Sequence, residues 1–144
     1  MRQSTRLLGT RRGIGLLDGL IALAILAFGL LAMTRFQGRL VAQATESQSR
    51  QSATHLASEL LASALVDTAN AACYTLPQAG ACGNASAIGR TADWAARVAA
   101  ALPGPVTSTS TLDAGTGRLS VALTWRGKSN DDARQLQVVT DVRL

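Results

Sequence analysis

Residues 11–34 read RRGIGLLDGLIALAILAFGLLAMT. Two arginines and a glycine lead into an apolar run, and from Gly19 to Thr34 that run holds no charged residue. Between Ile14 and Thr34 only Asp18 interrupts it. About 20 residues rising about 1.5 Å each cross a hydrocarbon core of roughly 30 Å. A cleaved secretory signal would end sooner, at a small-residue cleavage site. Here the chain continues as RFQGRLVAQATESQSRQSATHLASELLASALVD, residues 35–67, without a proline. The pattern predicts one helix from Ile14 to about residue 68, roughly 80 Å long, with its first half in lipid. A carboxylate in such a helix costs a few kcal/mol unless it finds a partner, so Asp18 needs a functional reason.

The charges support an anchor rather than a nucleic-acid binder. The formal charge is +5, but Arg2, Arg6, Arg11 and Arg12 all precede Gly13 and no acid does. Without those four, ten basic and nine acidic residues remain, and no basic stripe with interleaved aromatics is left to hold phosphates. Nucleic acid is therefore not an expected partner. By the positive-inside rule the leading arginines stay in the cytoplasm and everything after the apolar run is exported. Aromatic residues make up only 3 % of the chain, so the exported part builds a small core.

The junction itself, Gly13 followed by Ile14, Gly15, Leu16, Leu17 and Asp18, resembles the class III signal of type IV pilins and type II secretion pseudopilins. The resemblance implies that a prepilin peptidase cuts after Gly13 on the cytoplasmic side and that Ile14, the new N-terminus, is methylated. Asp18 stands in place of the usual glutamate, and Gly15 where Ser or Thr is common. In that family the acid pairs with the N-terminal amine of a neighbouring subunit as helices bundle into the filament. The alternative is an aspartate whose carboxylate sits in water at the cytoplasmic interface. The continuation LIALAILAFGLLAMTRFQ, Leu20 to Gln37, is similar to PilV-type minor pilins, also described as type IV pilus modification proteins. Arg35 stands where a major pilin often carries a helix-kinking proline. DWAARVAAALPGP and LSVALTWRG share the look of the same family.

Further along, Leu56, Leu60, Leu61, Ala64 and Leu65 recur at helical spacing and predict one apolar stripe for a small sheet to cover. The preceding TESQSRQS has no such stripe and reads as solvated or at the lipid boundary. Thr91 to Leu102 reads as a short amphipathic helix stopped by Pro103, Gly104 and Pro105. TSTST fits an edge strand or a linker. Leu119, Val121, Leu123 and Trp125 alternate with smaller or polar residues, and Leu136, Val138, Thr140 and Val142 do the same after a turn at 127–132, which predicts a hairpin. The expected fold is α+β and pilin-like, a long N-terminal helix backed by a small antiparallel sheet. Its divisions are a leader over 1–13, a membrane segment over 14–35 and a periplasmic domain over 36–144.

Sites for chemistry are sparse. Cys73 and Cys82 enclose eight residues, with no second pair to complete a zinc site, and in an oxidising periplasm a disulfide is expected in preference to two free thiols. His55, the only histidine, lies mid-helix among polar neighbours without an accompanying nucleophile. Asn84-Ala85-Ser86 is a formal glycosylation sequon of the kind that arises by chance. No catalytic residue, metal or cofactor is expected. Three functions remain open: a minor pilin that joins or primes a type IV pilus, a minor pseudopilin of type II secretion, or a signal-anchored periplasmic binding protein or enzyme. The first, which is not an enzyme, has as its expected partners prepilin peptidase, other major and minor pilins, and inner-membrane lipid.

Overall fold

The computed structural model describes residues 14–127 and 132–142. Helix α1 spans Ile14–Val66, a 3-10 turn follows at Thr68–Tyr74, and helix α2 spans Ala85–Ala101. Strands β1 (Thr107–Asp113), β2 (Arg118–Arg126) and β3 (Ala133–Asp141) complete the order. The chain divides into two compact units between Val41 and Ala42.

The first unit contributes residues 14–41 of α1. Every described side chain from Gly15 to Val41 is exposed. Leu16 and Phe28 are uncovered to more than 70 %. This helix is long and apolar enough to cross a membrane.

The second unit is α+β, and its α1 residues pack against the small antiparallel sheet. Strand order is β1-β2-β3, antiparallel throughout. β2 is the central strand, and its core-facing Leu119, Val121, Leu123 and Trp125 are all buried. They share one core with Ala53, Leu56, Ala57, Leu60, Leu61 and Ala64 of α1, and with Ala87, Trp94 and Val98 of α2. Fully burying a Leu, Val or Phe side chain contributes roughly 1.5–3 kcal/mol, so this core dominates the unit's stability. Ala53, Ala57 and Ala64 are fully buried, so small side chains stand on the face of α1 that meets the core. TSTST is the edge strand of the two expected alternatives, and its Ser110 backbone exchanges both hydrogen bonds with Leu76, at 2.8 and 2.9 Å.

Three sequence readings are corrected. Leu65 is not in the stripe but 45 % exposed, because the buried face runs through Leu60, Leu61 and Ala64 and leaves position 65 turned outward. TESQSRQS is not uniformly solvated: Ser49 is buried and Glu46 is half-buried. The buried face continues there in small and polar residues, with the Ser49 hydroxyl satisfied by the Thr45 carbonyl at 3.1 Å. Finally, α2 starts six residues before Thr91. Asn84 is its N-cap, with Oδ1 accepting from the Ser86 and Ala87 backbone N–H groups at 3.1 and 3.2 Å.

Candidate functional site

The residues singled out in the sequence fall in two places. Gly13 lies outside the described residues; the described part of α1 begins at Ile14, whose side chain lies outside them too. Asp18 is exposed on α1, four residues from Ile14, and residues four apart share a helix face.

In the second unit Cys73 and Cys82 are joined as a disulfide, with Cα atoms 5.1 Å apart. Cys73 is buried, and its carbonyl accepts from Thr91 Oγ1 at 3.1 Å. The bond thus fastens the 3-10 turn to the loop that enters α2. Next to it stands a polar cluster that no sequence pattern announces. The Asp67 carboxylate accepts from Asn70 Nδ2 (2.7 Å), Tyr74 OH (3.0 Å) and Arg90 Nη2 (3.1 Å). Arg90 Nη2 also donates to Tyr74 OH at 2.9 Å, and its guanidinium lies 5.9 Å from the centre of the Tyr74 ring. Asn70 holds the Asp67 carboxyl below its usual range, against the effect of burial and with help from Tyr74 and Arg90. Burial pushes the Tyr74 hydroxyl up. Arg97 reaches Glu59 as a fork, at 2.6 and 3.0 Å, and this lowers the Glu59 carboxyl. The groove between these groups has a volume of about 660 Å³ and is lined by Ser63, Val66, Asp67, Tyr74 and Arg90 among others.

A second carboxylate joins helix to sheet. Glu46 Oε1 accepts from Arg134 Nε of β3 at 2.8 Å and from Arg50 Nε at 3.3 Å. Sequence reading missed both clusters because their partners are far apart along the chain: Asp67 and Arg90 by 23 residues, Glu46 and Arg134 by 88.

Chemically, Asp67 is engaged by three donors and acts as a fastening. His55 is exposed. Among the described residues no group of three or more His, Cys, Asp or Glu is placed to hold a metal ion. Asn84 spends its side-chain oxygen on the α2 cap. No protein-family model matches the chain, and no curated protein or solved structure does either.

Proposed function

We propose that the chain is a minor pilin: a structural subunit held in the inner membrane by α1, cut by prepilin peptidase after Gly13 and methylated at Ile14. In this reading the second unit lies in the periplasm, and the subunit joins or primes a type IV pilus. The observation that carries the reading is the junction. A basic stretch ends in a glycine, an apolar run follows it directly, and one carboxylate, Asp18, stands a helical turn after Ile14 on an exposed apolar helix. Cleavage creates a positive amine at Ile14. In low dielectric an amine and a carboxylate attract far more strongly than in water, so Asp18 of one subunit sets the register of the next. The α+β layout and the disulfide agree with an exported pilin head.

The test is co-expression with a prepilin peptidase, followed by N-terminal sequencing and mass measurement. The expected product begins at Ile14, is N-methylated and lacks all four leader arginines. A mature protein that still begins at Met1, or begins beyond Thr34, defeats the proposal.

A further inference from the structure

The three-stranded sheet has one edge interrupted by a backbone bridge, at β1, and one bare edge, at β3. On β1 the outward backbone groups of Ser110 are taken by Leu76. On β3 the partners follow from the ladder. Val142 N donates to Gly117 O across the β2–β3 pair, and the register is one-to-one from Arg118–Asp141 to Arg126–Ala133. Antiparallel ladders alternate, so residues 134, 136, 138 and 140 bond to β2 while the N–H and C=O groups of Ala133, Gln135, Gln137, Val139 and Asp141 point away from it. Among the described residues no strand receives them.

Natural edges are blunted by brevity, a proline, a bulge, charges on the edge or pointing inward, or a covering helix or loop. β3 has no proline and no break in register, and its inward charge, Arg134, is paired with Glu46. Its core-side Leu136 and Val138 are only half-buried, whereas Val121 and Leu123 opposite them are fully covered. At the Arg134 end lies a depression of about 380 Å³ lined by Gln43, Glu46, Ser47, Arg50 and Arg134. Two guanidiniums meet there over one carboxylate oxygen, each through Nε, which leaves the site one positive charge in excess.

We propose that β3 takes up an extended segment of another polypeptide as a fourth, antiparallel strand. Two apolar side chains of that segment cover Leu136 and Val138, and an acidic one seats against Arg134 and Arg50. The charge of the depression selects the acid, and backbone pairing supplies the affinity. A second copy of this chain fits the edge less well. A second β3 would present Arg134, Leu136, Val138 and Thr140 on that face, and no acid to seat against Arg134 and Arg50.

The probe is a capped nine-residue peptide of threonines with valine at its fourth and sixth positions and glutamate at its eighth. It is added to the full chain in detergent micelles, and amide exchange is followed by NMR. At a free concentration of about ten times Kd, the amides of Gln135, Gln137, Val139 and Asp141 are expected to slow about tenfold. Gln137→Pro removes an outward N–H and no ladder bond, so it should abolish that response while the protected amides of Val121 and Leu123 keep their rates. A peptide with lysine in place of glutamate should bind several-fold more weakly. No slowing at millimolar peptide overturns the proposal, and so does equal affinity for the lysine peptide. Protection of the same four amides that grows with protein concentration alone also overturns it, because the occupant is then a second copy. None of these readouts depends on processing. A chain cut after Gly13 whose edge never responds refutes this proposal and leaves the pilin reading standing, and an uncut chain that binds the peptide does the reverse.

Discussion

Single atoms at Asp18 separate processing from assembly. On the pilin reading the peptidase reads mainly the glycine before the cut, so Asp18→Ala should still be cleaved, and the neutral helix should insert at least as well. What it loses is the partner for a neighbour's amine, which is then buried without compensation. Asp18→Ala is therefore expected to accumulate as mature membrane subunit but to be depleted from sheared pili. Gly13→Ala should impair cleavage itself, and Asp18→Glu should preserve incorporation. Immunoblots of membrane and sheared fractions decide this, and wild-type levels of Asp18→Ala in pili would reduce the carboxylate to an interfacial residue. In the second unit the most exacting position is Gly117. Its φ is +69°, and a Cβ there would lie 2.6 Å from the Val142 carbonyl oxygen, a backbone atom. Left-handed backbone costs a non-glycine residue about 1–3 kcal/mol before any clash is counted. Gly117→Ala should thus lower stability by about 2 kcal/mol or more, seen as a shifted denaturant midpoint.

Elements are fastened to one another by a few polar and covalent ties, and two of these can be released in solution. Reducing Cys73–Cys82 frees a loop of about ten residues, which on the chain-entropy account is worth roughly 2.5–3 kcal/mol. The reduced chain should unfold at a correspondingly lower denaturant concentration, and a midpoint unchanged by reductant would remove the bond from the account of stability. Acid acts on the other tie. The Asp67 carboxyl is depressed below its ordinary value of 3.8, so its contribution is complete above that value and is lost as pH falls through the lower folded-state value. The stability gap between wild type and Asp67→Asn should therefore be constant near neutral pH and shrink below about pH 4, as unfolding midpoints across a pH series would show. How well each element could be read from sequence followed the strength of its local signal. Leu119, Val121, Leu123 and Trp125 alternate cleanly because one face of β2 is wholly buried, so the hairpin was legible. The start of α2 was not: its capping Asn84 sits in an alanine- and glycine-rich stretch with no apolar period around it. The α1 stripe was misjudged at Leu65 and Ser49 because a helix can bury small or polar residues where a backbone or a partner residue lies close, and spacing does not encode what lies opposite.

At the scale of the whole molecule, legibility differed between the units. Gly13, Ile14 and Asp18 lie close together in the chain, so a resemblance could rest on them together. The Asp67–Tyr74–Arg90 cluster and the Glu46–Arg134 pair join residues that only the fold brings together. One consequence of the core is optical. The chain has two tryptophans, Trp94 and Trp125, and both are buried in the second unit. Trp94 Nε1 donates to the Leu56 carbonyl at 2.7 Å, while Trp125 Nε1 meets no acceptor among the described residues. All indole emission therefore comes from the second unit, with a short-wavelength component from Trp125. Iodide should quench neither ring, exchanging one detergent for another should leave the spectrum unchanged, and a red shift should appear only when the α+β unit opens. The apolar part of α1 holds no tryptophan, so indole fluorescence reads the second unit alone in any detergent or lipid.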